Sequence, residues 1–143
     1  MVMEASVPYG TFIATGRKAK DYNDLNQLIG SDGLTMGAVR PLMNYLGLST
    51  DRAAALMGVS SRTIARWDDA STIGVLASKT LLELDRLTKK GIDVFGNAEL
   101  FKSWLQQSNV ALGDVAPIQL LTEPYGLELI EDALEALEYG SVM

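Results

Sequence analysis

Arg62 and Arg66, four residues apart, sit inside the motif Ala54-x-x-x-Gly58-Val59-Ser60-x-x-x-Ile64-x-x-Trp67. Each motif position has a mechanical task. Ala54 is small enough for a second helix to cross it, Gly58 permits a sharp turn at positive φ, and Ser60 caps the helix that follows. Val59, Ile64 and Trp67 face the core and set the angle between the helices. Ser60, Ser61, Arg62, Ala65 and Arg66 are left on the exposed face of the second helix, whose first turn enters the major groove in this motif class. Two guanidinium groups on one helical face can reach phosphates or guanine edges. Asp68 and Asp69 follow at once and would repel phosphate. The reading is a helix-turn-helix that contacts DNA, with a helix pair used only for packing as the competing reading.

Other chemistry is restricted by what is missing. The 143 residues contain no histidine and no cysteine. The commonest general base, the commonest metal ligand, disulfides and thiolate sites are therefore all removed. Nothing sets two carboxylates around a pocket, and neither metal-ligand spacing nor a phosphate-cradling glycine loop occurs. The expectation is a protein that binds rather than catalyses, with no catalytic residues, no metal and no cofactor. No apolar run approaches the roughly 20 residues a membrane span needs. Residues 1–10 do not read as a signal peptide, so a cytoplasmic location is expected.

The elements that must position these residues are helical. Residues 1–33, punctuated by Gly10, Gly16, Gly30 and Gly33 and carrying Arg17, Lys18 and Lys20, read as a flexible arm with a short helix near Tyr22–Ile29. Met36, Val39, Met43 and Leu46 form one helical stripe, closed by Gly47. Ser49 or Thr50 begins the next helix, which Gly58 ends. Leu76, Leu81, Leu84 and Leu87 mark a longer helix that should stop at Gly91, after Lys89 and Lys90. Phe95, Leu100, Phe101, Trp104 and Leu105 supply a bulky face. Residues 109–114 read as a loop, and Pro117 opens a short helix through Leu121. Leu127, Ile130, Leu134 and Leu137 define a last helix ending at Gly140. Both tryptophans are expected to be buried. No segment alternates as a strand would, so the fold class is all-α, a helix-turn-helix region followed by a compact helical domain.

Charge divides the chain. Residues 1–91 hold eleven Lys/Arg against nine Asp/Glu, whereas residues 92–143 hold one against nine, a net −8. Composition alone allows either two surfaces with different partners or a solvated acidic face with no partner. Glu128, Glu131, Asp132, Glu135 and Glu138 crowd the last helix, and Glu135 and Glu138 lie near its C-terminus, where the helix dipole disfavours anions. Such crowding suits a basic partner surface.

The stretch Val94-Phe95-Gly96, Trp104-Leu105, Asn109, Ala111-Leu112-Gly113, Pro117, Leu120-Leu121-Thr122, Gly126, Leu134 and Tyr139-Gly140 resembles the toxin-binding domain of Xre/MbcA/ParS-type antitoxins. With the upstream helix-turn-helix, the resemblance spans residues 34–143. It implies a RES-domain toxin that consumes NAD or transfers ADP-ribose, an antitoxin C-terminus that covers the toxin's cleft, and repression of the pair's own operon. The residues expected to meet the toxin are Glu131, Glu135, Glu138, Tyr139, Gly140, Ser141, Val142 and Met143. Four segments follow: an arm (1–33), a DNA-binding region (34–72), a linking helix (73–91) and a toxin-binding domain (92–143). The expected partners are the toxin, operator DNA and a second copy of the chain, since helix-turn-helix proteins read paired half-sites. The rival reading is an ordinary helix-turn-helix transcription regulator whose C-terminal domain only dimerises.

Overall fold

Local capping chemistry sets most element boundaries in the computed structural model, which describes residues 12, 13 and 20–140. The elements are α1 (Tyr22–Ile29), α2 (Met36–Leu46), α3 (Thr50–Met57), α4 (Ser61–Arg66), α5 (Val75–Phe95), α6 (Ala98–Gln106), two 3-10 helices (Val110–Leu112 and Pro117–Leu120) and α7 (Gly126–Gly140). Asp21, Thr35, Ser49, Ser60 and Asn97 each cap a helix by accepting a backbone N–H from its first turn. A cap of this type contributes about 1 kcal/mol. Among the described residues there is no strand, and β pairing is confined to isolated bridges at Thr35–Thr72 and Asn109–Val115. The fold is all-α.

The chain divides into two compact units, one of residues 12–85 and one whose described part spans 86–140. Helix α5 supplies its first eleven residues to the former and its remainder to the latter.

In the first unit, α2 buries Met36, Val39, Leu42, Met43 and Leu46, the stripe expected from the sequence with Leu42 added. The segment before α5 runs antiparallel to residues 32–37, with Met36 N–H donating to the Ser71 carbonyl (2.8 Å) and Ile73 N–H to that of Leu34 (2.9 Å). Gly33 makes this approach possible, because a Cβ there would lie 2.3 Å from the Gly74 carbonyl oxygen. The buried Ser78 hydroxyl accepts from Leu34 N–H at 2.8 Å and donates to the Gly74 carbonyl at 2.6 Å, so its polar group is satisfied. The expected flexible arm contributes to this core. Ile13 and Ile29 are buried, because hydrophobic burial outweighs the ordering cost of the segments that carry them. Phe12 stacks on Tyr45 at 4.6 Å, and its N–H donates to the buried Asp85 carboxylate at 2.8 Å.

The second unit is organised around Phe101. Its ring occupies the place where a side chain at position 91 would stand, a Cβ on Gly91 falling 2.2 Å from Phe101 Cε1. Gly91 therefore does not end a helix, as its sequence context suggests. It lies within α5, which continues four residues to Phe95, because tertiary packing outweighs the modest helix cost of glycine. Phe95 and Trp104 flank Phe101 with centroids 6.1 and 6.0 Å away. Leu105, Ile118, Leu121, Ile130 and Leu134 complete the core.

Several burial expectations are corrected. Trp67 and Trp104 are only half-buried. Leu76 is 82 % exposed and Leu100 56 %, each at the first turn of its helix, where fewer neighbouring elements cover it. Leu137, near the end of α7, is also exposed.

Phe101→Ala is expected to cost about 3–5 kcal/mol. Trp104→Ala should cost less, and Leu100→Ala under about 0.5 kcal/mol; urea titrations rank the three. Burial raises the Asp85 carboxyl to about 6 from its ordinary 3.8, against the opposing hydrogen bonds from Phe12 and Ile13 N–H. A carboxyl raised in the folded state favours folding when protonated, so its ionisation weakens the fold as pH rises from about 4 through about 6. The parent's stability should therefore carry a downward slope over that window. Asp85→Asn should flatten it, as denaturation at stepped pH values will record.

Candidate functional sites

The first candidate surface lies on α4. Helix α3 ends at Gly58 in the left-handed conformation (φ 74°), and Val59 N–H returns to the Ala54 carbonyl at 3.0 Å. Ser60 then starts α4, its hydroxyl oxygen accepting from Thr63 N–H at 3.1 Å. The two helices pack on each other, with Ala54 buried and Val59, Ile64 and Trp67 partly buried. Ser60, Arg62, Ala65 and Arg66 are exposed, while Ser61 is half-buried and donates its hydroxyl proton to Asp51. Neither arginine bonds a carboxylate among the described residues, so both guanidinium groups remain available. The acids after the helix are already occupied. Asp68 accepts from Ala70 N–H, Ser71 N–H and the Ser71 hydroxyl, and Asp69 pairs with Arg40 at 2.9 Å. Their repulsion toward an anionic ligand is thereby reduced, though exposed pairing screens it only in part.

The second candidate surface lies on α7, and here the acids fall into two groups. Arg86 grips Glu131 with both terminal nitrogens, at 3.1 and 3.0 Å. Lys90 reaches Glu135 at 2.7 Å and Glu131 at 3.4 Å. The Arg86 hydrogen bonds hold the Glu131 carboxyl below the usual carboxylate range, and the Glu135 hydrogen bond leads in raising Lys90. Two of the glutamates expected to face a toxin are thus bound to α5, one turn apart on α7. The anion that the helix dipole disfavours at Glu135 is offset by Lys90. Glu138, Glu128, Asp132 and Glu123 are exposed and form no ion pair among the described residues.

Tyr139 is 67 % exposed and Gly140 is the last residue of α7. Ser141, Val142 and Met143 lie outside the described residues. Sequence reasoning overlooked the exposed apolar groups Tyr125 (78 %), Val110 (84 %) and Leu129 (46 %). A signal for part of this was present: Leu129, Asp132, Ala136 and Tyr139 recur at spacings of three and four, a second helical stripe opposite Ile130 and Leu134.

Residues 90–140 match the family model of the antitoxin Xre/MbcA/ParS C-terminal toxin-binding domain. The match takes in the end of α5, α6, both 3-10 helices and α7, and a toxin-binding domain of that description implies a toxin as partner. No curated protein matches the chain. Among the described residues, no helix is long and apolar enough to cross a membrane.

The α5–α7 ion pairs generate a pH prediction. A carboxyl depressed in the folded state contributes stability above its ordinary 4.5 that is lost as pH falls through the folded value. Arg86→Met should therefore lower stability at pH 7 and have less effect at an acid pH low enough to protonate Glu131 in both states. Thermal melts of parent and variant at the two pH values should converge on the acid side.

Proposed function

We propose that this chain is the antitoxin of a type II toxin–antitoxin pair, and that it inhibits a RES-domain, NAD-consuming toxin by covering the active-site cleft. The observation that carries this reading is the toxin-binding family match over residues 90–140. The inhibitory element is the last helix and the tail: Glu131, Glu135, Glu138, Tyr139 and Gly140, continued by Ser141, Val142 and Met143. A cleft that holds a dinucleotide's phosphates is basic, and an acidic helix end complements it. Glu131 and Glu135 can engage such a cleft only by sharing or releasing Arg86 and Lys90, so Glu138 and the tail carry the greater part of the contact. The protein acts without catalysis or cofactor, in the cytoplasm where an NAD-consuming toxin would act.

The second role is repression of the pair's own operon by a homodimer, with Ser60, Ser61, Arg62, Ala65 and Arg66 at the DNA. The exposure of Arg62 and Arg66 and the neutralisation of Asp69 by Arg40 support it.

Co-expression with a RES-domain toxin, which this reading requires beside the gene for this chain, should restore growth and cellular NAD. Deleting Ser141, Val142 and Met143 should weaken rescue while leaving circular dichroism unchanged. If parent and truncated chains rescue equally, the tail is not the inhibitory element. Arg62→Ala with Arg66→Ala should abolish promoter binding in a gel shift yet leave toxin binding intact. Undiminished affinity would reduce α3 and α4 to a packing pair.

A further inference from the structure

We propose that the toxin, besides meeting the end of α7 and the tail, docks on the solvent-facing stripe that begins at Tyr125 and continues along α7 through Leu129 and Ala136. This rests on reading the chain as an antitoxin and specifies which surface of its C-terminal domain meets the partner.

Burial supplies the first reason. Ile130 and Leu134 turn α7 inward and are fully buried, while Leu129 remains 46 % exposed and Ala136 exposed on the opposite side. Tyr125, immediately before the helix, is 78 % exposed, and the 3-10 helix that packs against α7 carries Val110 at 84 %. Exposed aromatic and aliphatic groups on α7 and the segments next to it are what the centre of a protein interface requires, tyrosine above all.

The backbone at Tyr125 supplies the second. Its φ is +61°, the left-handed region that a bulky side chain rarely adopts. The next residue shows why the turn is so tight: a Cβ on Gly126 would lie 1.6 Å from the Leu120 carbonyl oxygen. A glycine at 125 would accept the same conformation without strain. The chain instead holds a tyrosine there with most of its ring in solvent, which folding alone does not explain.

Charge identifies the occupant. Glu123, Glu128 and Asp132 border the stripe and pair with no cation among the described residues, unlike Glu131 and Glu135. Residues 86–140 carry four Lys/Arg against nine Asp/Glu, a net −5, so the same unit of a second copy would present the same sign to this face. The partner surface that fits is an apolar recess rimmed by lysine and arginine, on the toxin.

Two substitutions test this. Tyr125→Gly removes the ring and relieves the backbone together, so its urea midpoint should equal or exceed the parent's. Leu129→Asp alters an exposed position while leaving Arg86, Lys90, Glu131 and Glu135 in place. With a purified RES-domain toxin as the probe, calorimetry should show each variant binding at least about tenfold more weakly. Glu128→Lys with Asp132→Lys should slow association and reduce its salt dependence. If Tyr125→Gly and Leu129→Asp both bind within about twofold of the parent, the stripe is not the docking surface, whatever the tail contributes. If sedimentation of the chain alone shows these variants losing a dimer, the stripe is a self-interface and the proposal is overturned. Failure of the parent chain to bind the RES-domain protein removes the functional reading itself and this proposal with it.

Discussion

Phe101 stands where a side chain on α5 would otherwise be, and the C-terminal unit depends on that substitution of ring for side chain. With Gly91 bare, the ring packs directly against the α5 backbone, and Phe95 and Trp104 close around it. The contact requires α5 to pass straight through Gly91, so the helix cannot end there. It also brings α6 against a fixed stretch of α5 and leaves Trp104 partly in solvent. A second contact of the same kind, the Leu120 carbonyl against Gly126, sets the entry of α7. A side chain at position 91 would displace the Phe101 ring, and one at position 126 would push the start of α7 off the Leu120 carbonyl.

Electrostatics then divides α7 by face. Arg86 and Lys90, one turn apart on α5, take up Glu131 and Glu135. These partly exposed pairs add modestly to stability, and their larger effect is on which acids remain for a partner. Glu123, just before α7, and Glu128, Asp132 and Glu138 on it remain, with Glu128 and Asp132 beside the exposed apolar groups. The first unit treats its anions in a similar way. Asp68 is spent on a turn, Asp69 is paired with Arg40, and Asp85 is buried beneath backbone N–H donors. Arg62 and Arg66 are left open on α4. Both candidate surfaces are thus the residue of charges not consumed by folding.

What the sequence by itself determined is mostly local. The start of α1, α2, α3 and α4 could be read because Asp21, Thr35, Ser49 and Ser60 each cap through the residue three positions on. The ends of α2 and α3 could be read because Gly47 and Gly58 take left-handed conformations that favour glycine. The all-α class, the buried stripe of α2 and the toxin-binding resemblance were legible for the same reason: each depends on spacing along one segment. What only the tertiary structure decided involves residues far apart in the chain. Gly91 looks like a helix stop until Phe101 is packed on it. The acids of α7 look like one uniform face until Arg86 and Lys90, 41 to 45 positions earlier, neutralise part of it. Leu76, Leu100 and Leu137 fit an apolar period but are exposed, because periodicity gives the face of a helix and not how far along it a neighbour extends. Spacing is a property of one helix, whereas burial and charge pairing are properties of two, and the second helix is chosen by packing.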